Sequence, residues 1–319
     1  MKSLKPKQEV KESKTTVEKK EKVAYKPKNW GNYNKSLVKR GSLTIWINEE
    51  AKENWNGIGY FTYSIIAIQT MLYIKYVYNL PYRQLTGFVS SIFEMLGLIL
   101  EVPDYTTICK RNKKLECKLK VSNKKITDII IDSTGIKVYG EGEWKVRKHG
   151  WNYRRLWMKL HMGISETGEI RAVVMTDNKS HDMKAYTDIL NQETAQIKTI
   201  YGDGAYDARE AYEDAEKRGI DKVCIPPRDN ARITEKGHPT RNKHIKEIQE
   251  KGKKAWKECI GYHVRSRVES TMFRYKKTFG SEMDARTTER QKNELIMKCN
   301  ILNIFHSFGM PESSPALVK

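Results

Sequence analysis

The chain has 319 residues and a formal net charge of +20, from 59 Lys and Arg against 39 Asp and Glu. That length can bury the core of one large domain or two, and so large a positive excess points to a polyanionic partner, nucleic acid above all. Five scattered cysteines, with no CxxC pair and no histidine at zinc-finger spacing, argue against a zinc site and read as reduced thiols of a cytosolic protein.

Residues 1–40 carry thirteen Lys or Arg against four Glu and few apolar side chains, so they read as a mobile basic tail without the apolar core of a signal peptide. Residues 41–119 turn helical. No charged residue falls between Asn54 and Ile74, but polar residues from Asn54 to Thr70 interrupt that stretch. A bilayer span needs about 20 mainly apolar residues, so a buried helix is expected and no membrane partner. Tyr63, Ile66, Ala67, Thr70, Met71, Ile74 and Val77 recur at helical spacing; Pro81 opens the next helix; Asp104 caps a third through Leu119. That third helix is basic, with Lys110, Arg111 and Lys114 among its cations, and the group reads as a helix-turn-helix type contact to double-stranded DNA. A plain helical bundle with a wet basic face is the competing reading.

From Lys125 the pattern becomes α/β. Ile126–Asp132 reads as a buried strand ending in an acid, and Leu156–Ile164 and Glu169–Thr176 form a hairpin. A helix from His181 to Leu190, a strand Ile197–Asp203, a helix Asp207–Arg218 and a strand Lys222–Ile225 follow. Strands first, then strands alternating with helices, make a mixed sheet with flanking helices over 120–308. Residues 226–258 read as a basic insertion with little periodicity, Asp284–Phe308 as a closing helix, and 309–319 as a loose tail. Between Glu143 and Lys159, Trp and Tyr alternate with Arg147, Lys148, Arg154 and Arg155, a pattern that can track a nucleic-acid backbone, with Trp157 expected in the core. Trp256 either stacks on a flipped base or, more often for a lone Trp, packs.

Three acids stand out. Asp132 and Asp203 each end a strand, where open sheets present functional groups. Glu269 lies on a helix from Tyr262 to Phe279, in a stripe about 60° wide with Tyr262, Arg265 and Lys276. Carboxylates brought together need cations, and Mg²⁺ suits oxygen ligands that share it with phosphate. Each acid also has a dull reading as a turn or surface group, and Asp128, Asp177 and Asp207 compete by position.

Tyr262-x2-Arg265-x3-Glu269-x6-Lys276 resembles the YREK signature of bacterial insertion-sequence transposases of the DDE class. The Ile-Ile-Ile-Asp132-Ser-Thr-Gly and Tyr-Gly-Asp203-Gly-Ala-Tyr-Asp207 runs resemble that family's first two acidic motifs, and Ser36–Thr44 its common opening phrase. The similarity extends over about residues 30–305. It implies a ribonuclease H-like catalytic domain in which Asp132, Asp203 and Glu269 bind two Mg²⁺ ions, with Mn²⁺ as a substitute. Tyr262, Arg265 and Lys276 then hold transposon-end DNA through its phosphates. Binding to terminal inverted repeats, a homodimer or higher assembly on paired ends, strand transfer into target DNA and a cytoplasmic, nucleoid-associated place are implied too. Sixty-six positions separate Asp203 from Glu269, too few for the large β-rich insertion of some relatives. The competing functions are an inactivated DNA-binding relative and a metal-dependent nuclease without strand transfer.

Overall fold

The computed structural model describes residues 24–58, 62–138 and 157–316. The basic and aromatic run containing Arg147, Lys148, Arg154 and Arg155 lies outside the described residues, as do residues 1–23. The chain opens with β1 (Ala24–Pro27) and α1 (Trp30–Lys39), then α2 (Glu49–Glu53), α3 (Ile65–Val77), α4 (Tyr82–Met95) and α5 (Tyr105–Lys114). The α/β part runs β2 (Asp128–Lys137), β3 (Trp157–Ser165), β4 (Ile170–Asp177), α6 (Met183–Gln192), β5 (Thr199–Tyr201), α7 (Arg209–Lys217) and β6 (Lys222–Cys224). It closes with α8 (Pro239–Lys251), α9 (Lys253–Cys259), α10 (Ser266–Phe279), α11 (Thr288–Ser307) and β7 (Ser313–Ala316).

Five strands form one sheet in the order β4-β3-β2-β5-β6. β2 pairs antiparallel with β3 and parallel with β5, while β3–β4 is antiparallel and β5–β6 parallel. An antiparallel meander continued by parallel strands is the ribonuclease H-like arrangement. β2 lies at its centre, which is why Ile129, Ile130 and Ile131 run without alternation: both faces are covered. Alternation still sorts the contacts. Ile129 and Ile131 pack with α6 and α7, while Ile130 and Ile136 pack on the side of α10 and α11. Asp132, in phase with Ile130, therefore looks toward α10.

The helical N-terminal part does not stand apart. One apolar core runs from Trp46 and Trp55 through α3 and α4 to Tyr275, Leu295 and Phe305. α11 is its axis, and three asparagines on it pair main-chain groups at the end of α5 and along the irregular segment that follows it. Asn293 donates to the Asn112 carbonyl at 2.7 Å, Asn300 donates to Lys118 at 3.0 Å and accepts from the Lys120 N–H at 2.7 Å. Asn303 donates to Lys120 at 3.0 Å and accepts from the Ile170 N–H at 2.8 Å. Buried main-chain groups must be paired, and these amides pair them outside a helix. That is the reason α5 stops at Lys114 instead of continuing to Leu119.

The expectation for the two ends of the chain changes. Residues 24–39, placed by composition in a mobile tail, form β1 and α1, and β1 pairs with β7 in the segment expected to be a loose end. Ser36 is buried, its hydroxyl donating to the Tyr33 carbonyl at 2.7 Å, while Lys39 lies 4.5 Å over the Phe308 ring. The basic insertion 226–258 contains the two helices α8 and α9. Pro239 at the first turn of α8 and the buried His244, Ile245 and Trp256 make a helical pair packed against Tyr212 and Tyr262.

Candidate active site

β2 continues five residues beyond Asp132, so this acid does not end its strand as the sequence suggests. What ends there is the pairing with β5. Ile130 faces Tyr201 in the last parallel pair, whereas β3 stays paired with β2 out to Lys137 opposite Trp157. β5 has turned away one residue before Asp203, and the crevice opens beside Asp132. Asp203, two residues past Tyr201, still lies near enough for its charge to push up the Asp132 carboxyl. Asp203 also fixes the turn that follows, accepting the Ala205 N–H at 2.9 Å.

Glu269 arrives from α10. Gly261, at φ +71°, turns the chain out of α9 in a conformation that side-chain-bearing residues avoid. A short 3₁₀ turn, Tyr262–Arg265, then leads into the helix. Val268, Thr271, Met272 and Tyr275 bury one face of α10. Arg265 donates from Nη2 to Asp132 Oδ2 at 2.9 Å and from Nη1 to Glu269 Oε1 at 2.5 Å, so one guanidinium spans the two carboxylates. Its Nε is buried without a partner. Tyr262 donates to the Gly202 carbonyl at 3.0 Å, beside Asp203, and Lys276 donates to Thr134 Oγ1 at 2.6 Å, two residues from Asp132. All four residues of the helix stripe thus reach the crevice.

The electrostatics are those of an under-compensated acidic cluster. Burial pushes the Asp132 carboxyl up to about 6; Arg265 and the Ser133 N–H pull it down, and Asp203 and Glu269 add to the rise. Burial opposes the charge on Arg265, yet the acidic groups around it, Asp132 foremost, more than compensate and hold it firmly protonated. Burial also lifts the Tyr262 phenol well above its ordinary range, so it is a neutral donor. Among the described residues, no three Asp, Glu, His or Cys side chains converge as they stand closely enough to hold a metal ion. Here the guanidinium occupies the space between Asp132 and Glu269. The donor set itself is all carboxylate, which fits a hard divalent cation such as Mg²⁺ and not a thiol- or imidazole-seeking one.

The competing acids are accounted for. Asp207 accepts two bonds from Arg241, both at 2.7 Å, and the Arg228 N–H at 3.1 Å; its side chain is fully buried and spoken for. Asp177 caps its own loop through the N–H groups of Lys179 and Ser180. Asp128 lies four residues before Asp132, where β2 begins. Asp182, which nothing in the sequence singled out, takes Lys159 at 2.7 Å and the Ser133 hydroxyl at 3.4 Å on the opposite face of β2. Trp256 is 1 % exposed and packs on His244 and Tyr262, so its packing reading holds. Trp157 is only half-buried and lies against Gly135.

On the helical part, Lys110 and Lys114 are exposed on α5. Arg111 is half-buried and donates to the Tyr63 carbonyl. Asp104 caps α5 by accepting the Thr106 N–H at 2.8 Å, as its position predicts. No helix of the described residues is long and apolar enough to cross a membrane.

A five-stranded mixed sheet with acids at the β2–β5 crevice and a third on a helix laid over it defines a ribonuclease H-like protein of the DDE kind. A family model described as "Transposase DDE domain" matches residues 123–304, more than half of the chain, and a second model of the same description matches residues 38–141. The chain belongs to the DDE transposase family.

Proposed function

We propose that the protein binds the terminal inverted repeats of its own insertion element, hydrolyses the phosphodiester at each end and joins the freed 3′-hydroxyls to target DNA. The observation that carries this reading is the bridge Asp132–Arg265–Glu269, with Asp203 near enough for its charge to push up the Asp132 carboxyl. Asp132, Asp203 and Glu269 hold Mg²⁺ as two ions, with Mn²⁺ able to replace it. When bound, such ions supply charge stabilisation at the phosphoryl oxygens and a deprotonated attacking oxygen.

The chain's own groups position the DNA. Arg265, released from the two carboxylates, presents a fork that matches a phosphate bidentately. Lys276, beside Thr134, adds a point charge on the same phosphate track. Tyr262 stays protonated and orients by hydrogen bonding; it is no nucleophile. Lys110 and Lys114 on α5 grip the duplex backbone at a distance from the chemistry, and Arg147, Lys148, Arg154 and Arg155 extend the contact. Two copies act on paired ends. A duplex carrying the element's terminus with a 3′-hydroxyl, mixed with target plasmid and Mg²⁺, tests the proposal. Joined product with wild type and none with Asp132→Ala is expected; cleavage without joining supports a nuclease instead.

A further inference from the structure

β3 buries an ionisable side chain that the chemistry above does not use. His161 is fully buried and lies opposite Ser133, the residue after Asp132, in the β2–β3 register. Its imidazole meets Thr176 Oγ1 through Nε2 at 2.8 Å and the Tyr206 hydroxyl through Nδ1 at 3.4 Å. Thr176 donates its own proton to the Asp177 carbonyl at 3.3 Å, so it accepts from the Nε2–H and leaves Nδ1 to accept from Tyr206. Burial keeps both rings neutral: it lowers the imidazole pKa and, with the charges of Asp182, Asp132 and Asp203, lifts that of the phenol.

A polar ring at this depth must be paired, and an apolar side chain would fill the same space without that demand. The place of Tyr206 shows what the pairing accomplishes. Tyr206 closes the 3₁₀ turn Gly204–Tyr206, which starts at Asp203. The ladder between β2 and β5 stops at Ile130 and Tyr201, so among the described residues no ladder pair ties Asp203 to the strand that carries Asp132. Side-chain links take over. Tyr262 donates to the Gly202 carbonyl on one side of Asp203, and His161 takes the Tyr206 hydroxyl on the other. β3 stays paired with β2 out to Lys137, so His161 is fixed with respect to Asp132.

We infer that His161 is a positioning residue for the acidic centre: through the Tyr206 hydroxyl it holds the Asp203 turn against the β2–β3 ladder and so sets the spacing of Asp203 from Asp132. The inference rests on the proposed role of these acids as cation ligands and adds a group that touches neither cation nor DNA. Side-chain reach separates positioning from packing. An Asn amide ends about where Nδ1 lies and a Gln amide about where Nε2 lies, so His161→Asn keeps the bond to Tyr206 and His161→Gln keeps only the one to Thr176. Mn²⁺ binding to the full chain without DNA is measured by calorimetry, beside a thermal melt of each variant. His161→Gln and Tyr206→Phe weaken Mn²⁺ about tenfold and His161→Asn stays within about threefold of wild type, although both His161 variants lower the thermal midpoint. Tyr206→Phe leaves its ring against Tyr186 and decides the question if a His161 variant fails to fold. Wild-type affinity in Tyr206→Phe or His161→Gln overturns the inference, as does equal weakening by the two His161 variants. Wild-type protein that takes up no Mn²⁺ overturns the cation-ligand role of the acids itself, and this inference with it.

Discussion

Two aspartate–arginine pairs lie close together in this fold, and they are opposites. Asp207 and Arg241 make a two-pronged pair with both bonds at 2.7 Å, a backbone N–H completes the carboxylate, and the acid is sealed from solvent. Asp132 and Arg265 make one bond at 2.9 Å; the arginine is shared with Glu269, keeps an unpaired Nε, and leaves the aspartate with a raised pKa. The first pair ties α8 to the turn after Asp203 and has nothing left to offer a ligand. The second is incomplete on both sides and can be exchanged for something better. Saturation marks the structural pair, and its lack marks the functional one.

Mutating each pair should separate them sharply. The largest effect expected is on chemistry: Asp132→Ala, Asp203→Ala or Glu269→Gln lowers end cleavage by about 10³-fold or more, with DNA affinity kept within a few-fold, read by gel assay and anisotropy. Asp207→Asn should strike stability instead. Breaking one partner of a buried pair costs about 3–5 kcal/mol, seen as a lower urea midpoint with unchanged slope.

Asp132→Asn moves the other way. At neutral pH the folded state carries a carboxylate whose pKa is up at about 6, so removing that charge stabilises the cation-free protein by roughly 1–3 kcal/mol. The sign follows from linkage. Between the ordinary carboxylate value near 4 and about 6, the folded state binds more proton than the unfolded one. The Asp132 contribution therefore falls as pH rises through that window and is level above it. Thermal midpoints of wild type and Asp132→Asn should converge near pH 4 and separate by pH 7. The smallest effect is expected at Arg265: Arg265→Gln removes the internal cation and tightens Mn²⁺ binding without DNA by about three- to tenfold, measured by calorimetry.

Much of this comparison was legible in the sequence, and its gaps have physical causes. The helix stripe was readable because one helix fixes its own geometry: Tyr262, Arg265, Glu269 and Lys276 all reach the crevice. Asp132 and Asp203 were readable from the strands that carry them. That Asp132 lies inside β2 was not, because Ser133–Lys137 are held by β3 and, at Lys137, by the segment around Glu282, partners remote in sequence. The extended path after Lys114 was hidden for the same reason: its hydrogen bonds come from Asn293, Asn300 and Asn303, nearly two hundred residues away. Charge counting also misjudged residues 24–39, where Ser36 anchors a basic segment, and it gave no sign of the helices that Arg241 and Trp256 fix within the basic insertion. Arg241 was only one cation among many until Asp207 was seen beside it.

The most direct measurement replaces Mg²⁺ with Fe²⁺ and lets ascorbate-generated hydroxyl radicals cut the polypeptide wherever the ion resides. Cuts clustered at Asp132, Asp203 and Glu269, all suppressed together by excess Mg²⁺ and absent from Asp132→Ala, are the expected result. Cuts elsewhere, or cuts at one acid that Mg²⁺ leaves untouched, would contradict a shared divalent-cation centre.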